Sequence, residues 1–364
     1  TGLVTPLSFR NLVINGAMRI AQRATSSTTS GYGDLDRWKH EYAGTNENPT
    51  FAQSDVVSSD VGDNPFAKGI TKCIKITNGN QTSGLQGSSQ INFNQQIEAQ
   101  DVRNSGWNYN SSSSYITLSY YVKSSVSQNF SGFVKTADGT NYIYPFETGT
   151  LTANTWTKVT KTIPGASNLQ IDYDTGSGFQ VFPVAIYGTN LTDNATNYNQ
   201  WATWNSSMRS KDQATSWFTT NDATLEITGV QLEVSSVATP FEHRSYGEEL
   251  NRCLRYYWKW GYSGGTTSMG IGMAWASSEV DVPVQFPVPM RTAPTISDQG
   301  TGADYYYIEG AGSSHKVDGN WTLQFGSPYL ANIYATPDGS LTAGNAHHIT
   351  MRNSAAYVAF SAEI

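Results

Sequence analysis

The sequence predicts an all-β protein of two domains, and three observations lead there. Apolar residues recur at every second position in many short runs, turn dipeptides such as Asn78-Gly79, Asp138-Gly139 and Pro164-Gly165 separate those runs, and nothing alternates strand with helix. With 364 residues the chain can build two cores. The expected order is an N-terminal arm over 1–10, a jelly-roll β-sandwich over 11–244, a connecting helix over 245–260 and a small β-sandwich or barrel over 261–364.

In the first domain Leu12, Ile14, Met18 and Ile20 fall on even positions and predict an opening strand. Ile116, Leu118, Tyr120 and Val122 share one face of a second strand, and Trp156 with Val159 and Ile163 marks a third. The stretch from Tyr187 to Trp217 is less regular. Its Trp201 and Trp204 are candidate sugar-stacking residues, because a flat apolar sugar face packs on indole; anchoring of a long loop is the competing role. From Leu225 the buried face changes parity at Thr228-Gly229, which predicts a β-bulge. Pro240 ends this extended segment, and Ser245 with Glu248 three residues on predicts a helix N-terminus. Leu250, Cys253, Leu254 and Tyr257 then form one apolar stripe at i, i+3, i+4 and i+7.

The C-terminal domain is expected to open with a Gly-rich turn at Gly261 to Gly272. Val280, Val282, Val284, Phe286, Val288 and Met290 share one parity while Pro283, Pro287 and Pro289 take the other. Three missing donors predict an edge strand or an extended wrapping segment. Tyr305, Tyr306 and Tyr307, set among glycines, read as an aromatic run in a loop, with some rings facing solvent as receptor contacts.

Several functions are disfavoured. A net charge of -7 argues against nucleic acid. No run of about 18 apolar residues predicts a membrane span, and the first residues lack the order of a signal peptide. Charged residues make up only 14% of the chain, below the usual ~25%, so Ser, Thr, Asn and Gln supply the polarity. Cys73 and Cys253 are expected as free thiols. Nucleophile elbows, zinc-ligand motifs, phosphate loops and dinucleotide fingerprints are all missing, so no catalytic residues and no cofactor are expected. Asp172 and Asp174 are weak candidates for a structural calcium, with a self-bonded turn as the favoured role. The adjacent His347 and His348 should point to opposite sheet faces and chelate poorly.

GVQLEVSSVATPFEHRSYGEELNRCLRYY is similar to a segment of tail-fibre and other virion structural proteins of tailed bacteriophages. NLVINGAMRIAQR with LDRW resembles the start of their jelly-roll module, and QFPVPMRTAPTI with YVAFSAEI resembles the limits of their C-terminal β domain. The resemblance implies a virion structural protein, a trimeric tail-fibre or receptor-binding component that contacts other virion proteins and a host-surface glycan or protein. It also implies oligomerisation through the stripe of Leu250, Cys253, Leu254 and Tyr257. The short segment before residue 11 predicts a small accessory fibre, tip or decoration protein, or an excised piece of a longer fibre. A capsid-decoration fibre and a non-catalytic carbohydrate-binding module, free or accessory to an enzyme, are the alternatives.

Overall fold

A computed structural model describes residues 10–261, 264–310, 312–317 and 319–364; most of the predicted N-terminal arm, residues 1–9, lies outside them. The chain is 43% strand and 6% helix, and it divides into two units between Glu249 and Leu250.

The first unit is a jelly-roll sandwich. One sheet runs Ser26–Ser27, Thr50–Asp55, Lys72–Thr77, Thr224–Glu233, Tyr115–Ser124, Thr155–Pro164 and Val61–Gly62. The other runs Ala202–Thr203, Tyr142–Thr150, Asn129–Thr136, Ser177–Tyr187, Gln90–Glu98 and Lys39–Ala43. Ile116, Leu118, Tyr120 and Val122 pack in the core between these sheets with Ile91, Phe93, Phe179 and Leu225.

The bulge lies where the parity change predicts it. Thr228 pairs with Tyr121 and Gln231 with Ser119, so Gly229 and Val230 together face the single residue Tyr120. Gly229 has φ +61°, and a Cβ there would meet Ile70 Cδ1 and Tyr121 Cδ2, each at 2.9 Å. The N–H of Val230 leaves the ladder and donates to Gly16 O (3.0 Å), while Val230 O accepts from Asn11 Nδ2 (3.0 Å). A Cβ on Gly16 would come within 2.1 Å of Val230 O, so only glycine permits this approach.

The expected opening strand is a correction: residues 10–24 form turns and irregular structure. Asn15 and Met18 take left-handed backbone angles, φ 58° and 56°, which a strand excludes. Asn15 organises the turn, its Oδ1 accepting from the N–H of Arg19 and Ile20 and its Nδ2 donating to Ile20 O and Asp36 O. Arg244, almost fully buried, donates to the carbonyls of Asn11 and Val13 and lies beside the carboxylates of Glu242 and Glu249. It ties the segment just ahead of the helix to the start of the chain.

The helix spans Tyr246–Leu254 rather than 245–260. Ser245 caps it, Oγ accepting from Glu248 N–H at 3.2 Å. Tyr257 lies instead on the strand Tyr257–Gly261, paired with Tyr357–Ser361. The aromatic sequence YYWKW favours a strand, and its match to a helical period is fortuitous.

The second unit is a small sandwich. A three-stranded sheet, Tyr257–Gly261, Tyr357–Ser361 and Thr295–Gln299, shares one core with a seven-stranded sheet. The latter runs Ser313–Lys316, Tyr306–Gly310, Ala346–Met351, Thr267–Ala276, Glu279–Gln285, Leu330–Ala335 and Thr322–Gly326. Gly270 and Gly272, expected in a turn, lie within Thr267–Ala276. The proline-bearing strand is not at the sheet edge either, since Glu279–Gln285 has a neighbour on each side. Pro283 is accommodated because register with Thr267–Ala276 ends at Asp281, leaving it opposite Asn332 alone. Val280, Val282, Val284, Phe286 and Met290 are buried on the predicted face.

On the jelly roll, Lys123 Nζ bridges Asp60 Oδ2 (3.0 Å) and Glu226 Oε2 (2.9 Å). Burial alone would raise the Asp60 pKa, but hydrogen bonds from Trp156 and Lys123 and the ammonium charge outweigh it and hold the carboxyl below its ordinary value. Burial would likewise lower Lys123, yet its two carboxylate partners hold it above the usual lysine value. Asp60 therefore contributes stability above about pH 4 that is lost as pH falls through its folded value, and Lys123 contributes below about pH 10 what is lost as pH rises through its own.

Two outcomes are expected. Gly229→Ala should cost about 2 kcal/mol from left-handed strain and crowding, seen as a lower urea midpoint at constant slope; an unchanged midpoint would mean that the bulge relaxes freely. Lys123→Met should cost about 3 kcal/mol near neutral pH and flatten both the acid and alkaline limbs of melting temperature against pH. Parallel limbs in variant and wild type would show that the bridge does not set them.

Candidate functional site

The six-stranded sheet carries the richest polar chemistry. Along Gln90–Glu98, Ile91, Phe93 and Ile97 enter the core, so Gln90, Asn92, Asn94 and Gln96 share the opposite face. Register places Gln180 beside Gln96 and Lys135, Phe182 beside Phe133, and Lys39 and Glu41 beside Asn94 and Asn92. Gln180 Nε2 donates to Gln96 Oε1 (3.3 Å) and Asn94 Nδ2 to Asn92 Oδ1 (3.3 Å). Asn92 and Asn94 are buried, Asn92 Nδ2 without an acceptor, so Gln90 and Gln96 are the members of this row that reach solvent.

Beside these amides the Phe133 and Phe182 rings stack at 4.1 Å, with Trp204 6.0 Å and Tyr187 6.3 Å from Phe133. Two cations lie over Trp204, Lys135 Nζ at 4.7 Å and Arg209 Cζ at 5.4 Å from the ring centre. Arg209 also donates to Gln90 Oε1 (3.0 Å) and sits 5.0 Å from the Tyr187 ring. Burial and the neighbouring Arg209 charge draw the Lys135 pKa below its ordinary value, with Glu41 acting the other way. Amides that both donate and accept, an indole face and partly desolvated cations suit a hydroxyl-rich ligand bearing negative charge.

The remaining sequence candidates separate. Trp201 is an anchor whose Nε1 donates to Pro164 O (2.7 Å) while its ring packs edgewise on Tyr144 at 5.3 Å. Tyr306 is buried in the second core, its hydroxyl 2.7 Å from the Gly300 and Tyr357 carbonyl oxygens. Tyr305 is half-buried against that core. Tyr307 is half-exposed, with Arg352 Cζ 4.3 Å and Lys316 Nζ 5.8 Å from its ring and its hydroxyl donating to Asp304. The setting is a correction: Tyr306–Gly310 is a strand paired on both sides, so period-two alternation sends Tyr306 inward and Tyr307 outward. In the apolar stripe, Cys253, Leu254 and Tyr257 are already buried within one chain and Leu250 is half-buried. The expected oligomerisation surface is thus largely consumed.

Asp172 and Asp174 are exposed; Asp174 Oδ1 accepts Gly176 N–H (2.9 Å), an Asx-type turn. Burial raises the pKa of neighbouring Asp138, helped by the charges of Asp172 and Asp174 and opposed by the Asp172 N–H. Among the described residues no group of three or more His, Cys, Asp or Glu side chains is placed to hold a metal ion. His347 is buried and His348 exposed, on opposite faces.

A further face was not foreseen from the sequence. On the C-terminal seven-stranded sheet, Ile271, Met273, Trp275, Pro283, Phe325 and Leu330 all point away from the core and line an open cleft of about 590 Å³. Inward positions of Thr267–Ala276 hold Met269, Gly272 and Ala274. Gly272 and Ala274 facing in opposite Ile271, Met273 and Trp275 facing out is the signal that was available.

No family model matches the chain, and no curated protein does. Among solved structures, the enzymatically active domain of tailspike protein 4 from bacteriophage CBA120 aligns at 9% identity and TM-score 0.32, over 62% of this chain and 21% of the tailspike, so the chain spans about a fifth of that structure. A putative sugar binding protein from Bacteroides thetaiotaomicron aligns at 12% identity and TM-score 0.33, over 62% of this chain and all of that one. The tripod from the baseplate of bacteriophage Tuc2009 aligns at 12% identity and TM-score 0.25, over 66% and 59% of the two chains. At these scores the likeness gives no residue a role.

Proposed function

We propose that the chain is an adhesion component of a tailed-phage virion, working as a homotrimer, whose jelly-roll domain binds an acidic glycan of the host surface without turning it over. The observation that carries this reading is the pair of half-buried amides Gln90 and Gln96 beside Trp204, Lys135 and Arg209. The phage assignment is supported by the three sequence stretches that resemble fibre proteins, in their expected order. Tyr307 is a second contact, in the C-terminal domain.

Calorimetry with acidic and neutral oligosaccharides from the host envelope tests this. Lys135→Ala should weaken acidic-glycan binding about tenfold with unchanged melting, Trp204→Ala should do the same with a lower melting temperature from its lost packing on Phe133, and intact ligand should be recovered after incubation. Affinity unchanged in both variants would remove this face from recognition, and shortened oligosaccharide would show turnover.

A further inference from the structure

We infer that the jelly roll carries a second ligand site, on its seven-stranded sheet, for a phosphate monoester with a flat apolar body. The site is a cavity of about 430 Å³, within the size range of small-molecule pockets. It lies on the other sheet from the amide face and is independent of glycan recognition there. Register sets Lys158 directly opposite Tyr121 on the adjacent strands Thr155–Pro164 and Tyr115–Ser124. Tyr120 and Val159 enter the main core, so Tyr121 and Lys158 face outward. Two further segments close around this pair. The single helical turn Pro65–Lys68 brings Lys68, and the stretch after Thr224–Glu233 brings Ala238, Pro240, Phe241 and His243. The His243 ring rests over Gly69, 3.4 Å from where a Cβ would stand, and meets Phe241 edge to face at 5.2 Å.

The side chains around this cavity supply donors and few free acceptors. Lys158 Nζ stands 5.8 Å from the Tyr121 ring centre, and among the described residues no carboxylate lies within ion-pair reach of Lys158 or His243. Lys68 has Asp63 Oδ1 at 3.9 Å, but both side chains are about half exposed, where such a pair is worth little. The Tyr121 hydroxyl makes no hydrogen bond to a described residue. Burial first and the Asp63 charge second raise its pKa, so it remains a donor. Thr239 Oγ1 is spent, donating to Glu233 Oε2 (2.6 Å). In a chain of net charge -7, two ammonium groups, an imidazole and a phenol thus converge on one cavity with their donors unmatched. Sugar hydroxyls need acceptors as well as donors, whereas an oxyanion needs donors alone. Lysine and imidazole arriving from separate segments are point donors that suit the tetrahedral oxygens of phosphate. A planar carboxylate is matched best by an arginine fork, and no arginine lines the cavity among the described residues. The rings of Tyr121 and Phe241, with Pro240 and Ala238, give the remainder of the ligand an apolar seat.

Calorimetric titration of the full chain with phenyl phosphate decides the matter. Phenyl phosphate should bind saturably, and inorganic phosphate about tenfold more weakly for want of the apolar body. Benzoate and phenol should bind more weakly than phenyl phosphate. Lys158→Met, which keeps an apolar stem over Tyr121, should weaken phenyl phosphate about tenfold with unchanged melting, and His243→Leu should weaken it severalfold. Lys135→Ala, on the amide face, should leave phenyl phosphate binding unaltered, which separates this site from the glycan reading. Wild-type protein that does not bind phenyl phosphate saturably would overturn the inference. So would benzoate bound as tightly as phenyl phosphate, or an affinity unaltered in both Lys158→Met and His243→Leu.

Discussion

The jelly roll depends on one constraint, the bulge at Gly229 and Val230. An extra residue in a central strand frees one N–H and one carbonyl from the ladder, and a buried pair left unsatisfied would cost several kcal/mol. The opening segment supplies both partners, Gly16 O and Asn11 Nδ2. Once held there, Asn11 and Val13 present the carbonyls that Arg244 takes, and Arg244 draws in Glu242 and Glu249 at the head of the helix. The strand, the chain start and the helix entry are therefore settled together.

Much of this interior is polar but uncharged. Asn11, Asn15, Asn78, Gln95 and Gln231 are buried and bonded largely to backbone: Gln95 closes on both polar groups of Ile14, and Gln231 Oε1 accepts from Glu242 N–H. An amide can satisfy a stray donor and a stray acceptor at once without the desolvation cost of an ion. That is the structural use of a composition rich in amides and poor in charge.

What was legible in the sequence followed from local rules. Parity placed the bulge, Ser245 and Glu248 placed the helix start, and the even positions from Val280 to Met290 gave the buried face. What was not legible depended on tertiary context. Leu12, Ile14, Met18 and Ile20 share a parity without forming a strand, because Asn15 curls the backbone around its own side chain. Tyr257 fits a helical period but finds a strand partner in Ser361. The outward Ile271, Met273 and Trp275 were hidden by the habit of assigning large apolar residues to the interior. Of the aromatic candidates, Trp204 lies half-buried on the Phe133 cluster beside the amide face, while Trp201 and Tyr306 are spent on packing; sequence alone cannot rank a tryptophan in a loop by what lies beneath it.

Each compact unit contains one cysteine, and both are enclosed. Cys73 is fully buried, its thiol pushed well above the ordinary range by burial first and by the Glu226 charge second. Cys253 is buried in the helix that opens the second unit. An alkylating reagent reaches neither until its surroundings open, so the two labelling rates form a built-in pair of clocks. One times the breathing of the jelly roll and the other that of the helix Tyr246–Leu254, without any engineered probe.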